Sequence, residues 1–320
     1  GSGHEDGEFI QQTSDGGYIV AGATESNNGD ISDGNNGESD YWIIKLDGSG
    51  NKEWDKTYGG SMSDDLESIQ ETSDGGYIVA GETLSNDGDI GDGNNGDWDA
   101  WIIKLDGSGN KVWDKTYGGS DVDFIESIQQ TSDGGYILAG GTKSNDGDIS
   151  DGNNGYRDYW IIKLDAFGNK VWDKTYGGPA NDEAESIYQT SDGGYIVGGS
   201  LGKDAWIIKL DGLGNKVWDK TYGGQGWDNA ESMQQTSDGG YIICGWTANN
   251  GSYDYWILKL DGSGNLEWDR TYGGSRNDYA ESIQQTSDGG YIVCGISESS
   301  NGDVSDGNNG GRDTWIIKLD

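Results

Sequence analysis

Short apolar stretches such as Trp42-Ile43-Ile44 and Tyr77-Ile78-Val79-Ala80 are separated, along the whole chain, by clusters of Gly, Asp, Asn and Ser. Runs rich in β-branched and aromatic residues between such clusters predict β-strands, and none is long enough for a bilayer-spanning helix. The pattern also repeats. A phrase close to Glu-Ser-Ile-Gln-Gln-Thr-Ser-Asp-Gly-Gly-Tyr-Ile-Val starts at Glu8, Glu67, Glu126, Glu185, Glu231 and Glu281, with spacings of 59, 59, 59, 46 and 50 residues. Self-similarity at such a period decides architecture before any local motif does.

In the second copy, strands are predicted from Glu67 to Thr72, Tyr77 to Gly81, Trp101 to Leu105 and Lys111 to Tyr117. Ser73-Asp74-Gly75-Gly76 makes a tight hairpin, and Asp106-Gly107-Ser108-Gly109-Asn110 reverses the chain a second time. Four short strands per copy make one propeller blade. The expected fold is therefore all-β, a six-bladed β-propeller of four-stranded antiparallel blades. It forms one domain over 1–320, with repeats at 8–66, 67–125, 126–184, 185–230, 231–280 and 281–320. The last copy ends at Asp320, before the Trp-Asp-Lys-Thr-Tyr-Gly-Gly stretch of the others, so either blade six has three strands or its fourth strand lies beyond these 320 residues. Its open edge could accept a strand donated by a partner.

The combination of an Asp/Gly turn, Tyr-Ile-Val-Ala-Gly, a variable loop, Asp-x-Trp-Ile-Ile-Lys-Leu-Asp-x-x-Gly-Asn and Tyr-Gly-Gly resembles the bacterial SBBP β-propeller repeat family and, more loosely, kelch repeats. The resemblance covers essentially the whole chain. It implies the propeller fold and an extracytoplasmic setting, at the cell surface or outside the cell, and no particular activity. The family name implies seven blades, whereas six copies are present here. Gly1-Ser2 aligns with Gly60-Ser61, inside a repeat, so a targeting segment is expected upstream.

Charge narrows the partners. The formal net charge of −37 repels phosphate backbones and anionic head groups, which argues against nucleic acid and membrane insertion and makes cations natural partners. A solvated acidic surface accounts for the same number. Gly is 59 of 320 residues with one Pro, while 14 Trp and 18 Tyr are enough to build a core, which excludes collagen and disorder. Cys244 and Cys294 occupy equivalent positions one repeat apart. Packed sheets lie about 10 Å apart, beyond disulfide reach, so both read as small core residues.

Candidate chemistry gathers in the long loop between strands two and three. Asp30, Asp33, Asn35 and Asp40 recur as Asp89, Asp92, Asn94 and Asp99, as Asp148, Asp151, Asn153 and Asp158, and as Asp303, Asp306, Asn308 and Asp313. Carboxylates, Asn amides and Gly-permitted carbonyls suit Ca2+, although the spacing is not that of an EF-hand; such loops also hold themselves by side-chain to backbone hydrogen bonds. Asp204 and Asp254 keep the last Asp where the loop is short, which points to a structural role for it.

Glu8, Glu67, Glu126, Glu185, Glu231 and Glu281 are expected to ring one mouth of the channel. The recurrent Lys45, Lys104, Lys163, Lys209, Lys259 and Lys318 are their expected counter-ions, and cation binding is the alternative. Trp227, Trp246 and Tyr253 are aromatics that the repeat does not require, and suit either a glycan or packing between blades.

The only His is His4, so no Ser-His-Asp or Cys-His unit can form within a blade. The reading is a non-enzymatic extracellular binding or adhesion propeller with acidic, Ca2+-stabilised loops and a glycan or protein ligand. Two alternatives stand beside it: a carbohydrate-active hydrolase or lyase using loop-face carboxylates, and a structural spacer of a larger surface protein. Repeat-breaking acids are few: Glu25, Glu38, Glu183 and Glu298.

Overall fold

The computed structural model describes residues 1–249, 251–305, 307–308 and 310–320. The fold is a six-bladed β-propeller of small antiparallel sheets. Compactness divides the chain into two units, Gly1–Tyr176 and Gly177–Asp320.

The first unit carries three four-stranded blades. Blade one is β1 Glu5–Gln12, β2 Tyr18–Thr24, β3 Asp40–Leu46 and β4 Lys52–Tyr58; blade two is β5 Asp64–Glu71, β6 Tyr77–Thr83, β7 Asp99–Leu105 and β8 Lys111–Tyr117; blade three is β9 Asp123–Gln130, β10 Tyr136–Thr142, β11 Asp158–Leu164 and β12 Lys170–Tyr176. The second unit carries blade four, β13 Asp182–Gln189, β14 Tyr195–Leu201, β15 Asp204–Leu210 and β16 Lys216–Tyr222, and blade five, β17 Asp228–Gln235, β18 Tyr241–Asn249, β19 Ser252–Leu260 and β20 Leu266–Tyr272. Blade six has three strands, β21 Asp278–Gln285, β22 Tyr291–Ser297 and β23 Asp313–Leu319.

Strand one of blade two begins at Asp64, three residues before the expected Glu67. The buried Asp64 carboxylate accepts from the Thr83 hydroxyl of the neighbouring strand and from Gly60 N–H at 2.8 Å, so the ladder starts there. The register then shifts between Leu66 and Ser68, leaving Glu67 as an unpaired bulge residue. Glu8, Glu126, Glu185, Glu231 and Glu281 occupy the same bulge in their own blades. Opposite the bulge, strand one presses so close that a Cβ on Gly81 would lie 2.1 Å from the Asp65 carbonyl oxygen.

Blades pack through their faces. In the first unit, Ile19, Tyr41 and Ile43 of blade one meet Leu66, Val79, Trp101 and Ile103 of blade two, all buried, with Tyr41 and Trp101 ring centroids 4.8 Å apart. In the second unit, Cys244, Tyr255 and Ile257 of blade five meet Ala280, Ile283 and Val293 of blade six. Cys244 and Cys294 are free thiols, the first buried and the second half-buried. Fourth strands reach onward to the next blade. The Tyr58, Tyr117 and Tyr222 hydroxyls donate to the carbonyls of Gly109, Gly168 and Gly264.

The recurrent lysines do not neutralise the strand-one glutamates, contrary to expectation. Each turns instead to its own blade's Ser-Asp-Gly-Gly hairpin: Lys45 to Asp15 at 3.0 Å, Lys104 to Asp74 at 3.0 Å, Lys163 to Asp133 at 3.1 Å, Lys209 to Asp192 at 3.1 Å, Lys259 to Asp238 at 3.0 Å and Lys318 to Asp288 at 3.2 Å. The ammonium is buried in the first five. There it also bonds the carbonyl of the following Leu, which replaces the water lost on burial. Although burial opposes it, Thr72 and Lys104 hold Asp74 down to about 2.

Two alanine substitutions separate close packing from backbone strain. Gly81→Ala should cost about 3 kcal/mol, at the upper end of overpacking, because its Cβ meets backbone. Gly50→Ala, at φ 82° with nothing within 4 Å, should cost only the left-handed penalty of about 1–2 kcal/mol. Urea unfolding of both proteins measures the difference.

Candidate functional site

The long loops hold themselves. In blade one, Asn35 donates to the carbonyls of Thr24 at 2.6 Å and Glu38 at 3.0 Å and accepts from Gly37 N–H at 2.6 Å. Asn94, Asn153 and Asn308 repeat the first and last of these bonds. Asp33, Asp92 and Asp151 pair with Lys56, Lys115 and Lys174 at 2.8–3.0 Å, and the Asp30 and Asp89 carbonyls accept from Lys52 and Lys111. Asp306 lies outside the described residues. The expected ligands within a loop therefore do not converge on one point. Among the described residues, no group of three or more Asp, Glu, His or Cys side chains is arranged to hold a metal ion.

The last Asp of the long loops of blades one and two does meet another carboxylate, across a junction between blades, and so does its short-loop counterpart in blade five. In the first unit, a Cβ on Gly59 would lie 2.3 Å from Asp40 Oδ1 and 2.7 Å from Asp64 Oδ2. At Gly118 the corresponding atoms belong to Asp99 and Asp123, at 2.0 and 3.1 Å. In the second unit, Gly273 faces Asp254 and Asp278 at 2.4 and 2.8 Å. Asp89, Asp148 and Asp303 join from their loops, each Oδ2 accepting from the N–H of Gly59, Gly118 or Gly273 at 3.2–3.4 Å.

Asp40, Asp64, Asp99 and Asp123 are fully buried, and Oδ1 of Asp40 and of Asp99 has no hydrogen-bond donor. Burial, reinforced by the neighbouring carboxylates, pushes Asp40 and Asp99 up to about 7 and Asp64 to about 6. Sequence reading missed Asp64, Asp123 and Asp278. The signal was present, an Asp three residues before each recurrent Glu from the second copy onward, but nothing in the sequence told it from the other acids.

The strand-one glutamates are neighbours within each unit. Burial, with Glu8 and Asp65 beside it, raises Glu67 to about 7, and burial with Asp6 and Asp65 raises Glu8. In the second unit, Asn229 bridges Glu185 and Glu231 at 3.1 and 2.9 Å, and the Trp246 indole N–H donates to Glu231 at 2.6 Å. Burial raises Glu231 against these donors, with Glu281 and Glu183 adding to the rise.

Trp246 also packs on Tyr253, with ring centroids 4.8 Å apart, and on Tyr279 of blade six at 5.9 Å; the two tyrosines lie 5.6 Å apart. The expected aromatic group thus forms without Trp227, which stands 47% exposed with Lys203 over its ring at 5.7 Å. Tyr279 takes its place. Its signal was variation at one position, occupied by Asp65, Phe124, Glu183, Asn229 and Tyr279 in successive copies.

No family model matches the chain, and no curated protein does. It is similar to the crystal structure of a protein from Lactobacillus plantarum, a structural-genomics target, over 97% of this chain and 87% of that one, at 11% identity and a TM-score of 0.56. It also aligns with Sqt1 from Chaetomium thermophilum over 89% of this chain at 14% identity and a TM-score of 0.47, and spans 64% of that chain's length. Sqt1 bound to the N-terminus of ribosomal protein L10 aligns over 88% of this chain and 79% of that one, at 13% identity and a TM-score of 0.46. At such identities the likeness shows the fold alone, and the Lactobacillus structure carries it.

The buried aspartates set a pH dependence. Their folded pKa is raised above the unfolded value, so the stability they contribute is fully present below the ordinary carboxylate range and is lost as pH rises through about 7. In chelator, the melting temperature should fall between pH 4 and pH 8, and Asp99→Asn should flatten the slope. A melting temperature rising across this window, equally in both proteins, would contradict the assignment.

Proposed function

We propose that the chain is a non-enzymatic binding propeller that captures a cationic polypeptide segment on blades five and six. The carrying observation is the grouping of Trp246, Tyr253 and Tyr279 beside Glu231, where side chains depart from the repeat. Aromatic faces next to carboxylates attract Lys and Arg, each cation–π contact being worth about 0.5–2 kcal/mol. A glycan ligand is the competing choice, and a position at the cell surface, which the repeat resemblance implies, belongs to the same proposal. Trp fluorescence titrations with Lys/Arg-rich peptides and with neutral oligosaccharides separate the ligands. The peptides should bind, more weakly at high salt, and Tyr279→Ala should weaken binding about tenfold with little change in melting temperature. Saturable binding of the oligosaccharides alone would replace the polypeptide by a glycan.

A carbohydrate-active enzyme is the second reading. Glu231 favours it, since a carboxyl with a raised pKa, oriented by an indole and an amide, has the properties of a general acid. Turnover of a polysaccharide that Glu231→Gln abolishes would establish it.

Calcium enters this proposal at the junctions rather than within the loops. The unsatisfied, buried Oδ1 atoms of Asp40 and Asp99 fit a hard cation, with Asp64 and Asp123 as the second carboxylates. At pH 7.5 and matched ionic strength, Ca2+ at one hundred times its dissociation constant should raise stability by about 2.7 kcal/mol over EDTA. Asp40→Asn with Asp99→Asn should remove most of that rise; equal melting temperatures in Ca2+ and EDTA would leave the pairs as proton-sharing acids.

A further inference from the structure

Blade three reverses the charge of its loop face. Directly after strand two, blade one has Glu25 and blade six has Glu298, whereas blade three has Lys143. Two residues before strand three, blades one and two have Glu38 and Asp97, whereas blade three has Tyr156. Arg157 follows Tyr156, and with Lys143 it flanks the last pair of the β10–β11 ladder, Thr142 with Asp158. The Lys143 N–H donates to the Val122 carbonyl at 2.9 Å, and the Asp123 N–H to the Trp98 carbonyl at 2.7 Å. Trp98, Val122, Lys143 and Arg157 therefore stand on four segments placed side by side.

Both cations are held on aromatic rings. The Arg157 guanidinium carbon lies 4.6 Å from the Phe124 ring centroid, and the Lys143 ammonium 5.3 Å from that of Tyr156. The first stack needs a specific omission. Phe124 pairs with Gly141, and a Cβ there would lie 2.6 Å from Phe124 Cζ and 3.1 Å from Arg157 Cδ. The other five blades carry Ala23, Glu82, Ser200, Trp246 and Ile296 at that place. Gly141 is not in the left-handed region, so this glycine serves the stack rather than the backbone. Stacking occupies a face of the guanidinium and leaves its edge, with five N–H donors, more than one neighbour can fill. Asp97 and Asp121, the acids that lead into these segments, accept from the N–H of Trp98 and Val122 at 3.1 and 2.9 Å. Tyr156 is 66% exposed.

We propose that Lys143 and Arg157 form a binding site for a carboxylate carried by a polypeptide, with an apolar side chain beside that carboxylate covering the exposed Tyr156 ring. A carboxylate accepts two parallel N–H bonds from a guanidinium edge, and the ammonium adds a second charge. Two cations do not offset the long-range field of a chain at −37, so a polyanion is repelled where a segment with a single carboxylate is not. That favours a polypeptide over a polyuronate, which carries a charge on every sugar. Lys143 and Arg157 belong to the first unit, and Trp246, Tyr253 and Tyr279 to the second, so this site does not rest on the cation-binding reading of blades five and six.

The test uses the intact protein at low salt and calorimetry with three N-acetylated peptides free of Lys and Arg. They are Gly-Ser-Leu-Glu-Leu amide, Gly-Ser-Leu-Gln-Leu with a free C-terminus, and Gly-Ser-Leu-Gln-Leu amide, which has no carboxylate. At least one of the first two should bind 1:1, and which one does so separates a side-chain carboxylate from a chain end. The third should bind at least tenfold more weakly. Lys143→Gln, at a half-buried surface position, should weaken binding at least fivefold with an unchanged melting temperature. Arg157→Lys, which keeps the charge and loses the fork, should do the same. Equal binding of the third peptide, no binding of any, or indifference to Lys143→Gln overturns the proposal. So does tighter binding of trigalacturonate than of either carboxylate peptide, since the ligand would then be an acidic sugar. Tyr279→Ala should leave the peptides unaffected; loss of binding there would move the carboxylate to blades five and six and overturn the proposal as well.

Discussion

The fourth-strand aspartate is the fixed point of blades one to three. Asp55 is almost fully buried, and an ionised carboxylate survives there only because three segments supply donors: Lys52 at 2.8 Å from its own strand, the Trp42 indole from β3, and Ser32 from the loop through its N–H and hydroxyl. Although burial opposes it, these donors bring Asp55 down to about 2, so the interaction outweighs the desolvation it requires. Loop, third strand and fourth strand are thereby held as one body. The outer edge of such a blade is thus closed by polar contacts as well as by the packing of its fourth-strand Trp.

At the opposite edge, the bulge performs the comparable task. One extra residue in strand one carries the recurrent glutamate out of the ladder, and the facing glycine admits the strand-one backbone where any Cβ would collide. The consequence reaches the candidate site directly. The residue two before the glutamate is free to vary without disturbing the ladder, and Asn229 and Tyr279 occupy it where Trp246 and Tyr253 gather. Variation is thus confined to positions the fold tolerates, which is why binding chemistry can differ between blades that are otherwise nearly identical.

Much of the fold was legible because its signals are local. Hairpins such as Thr13-Ser14-Asp15-Gly16-Gly17 specify themselves within five residues, Asp15 accepting from the Thr13 hydroxyl and Gly17 N–H, and six copies of such signals give six sheets. The candidate site was less legible because its contacts join neighbouring copies. Periodicity shows that Asp40 and Asp99 are equivalent, but not that each faces the Asp that opens the following blade. For the lysines it was direction that failed: Lys45 lies in the same strand whether it points to Glu8 or Asp15, and the hairpin carboxylate, together with the Leu46 carbonyl, decides the matter. Asp33 and Asn35 show the same limit, since the donors they meet, Lys56 and Gly37 N–H, lie in the same blade and are not visible from composition.

The charge balance connects these observations. With 20 Lys and Arg against 57 Asp and Glu, cations are scarce, and the six third-strand lysines, five of them buried, are committed to hairpins while those of the fourth strands of blades one to three hold loops. The acids at the blade junctions and around Glu231 are served by neutral donors instead, Thr, Ser, Asn, Trp and backbone N–H. Neutral donors lessen the cost of a buried carboxylate without cancelling its charge. The same shortage of cations leaves Asp40, Asp99 and Glu231 with raised pKa values, and it is the physical ground on which the proposed cationic ligand rests.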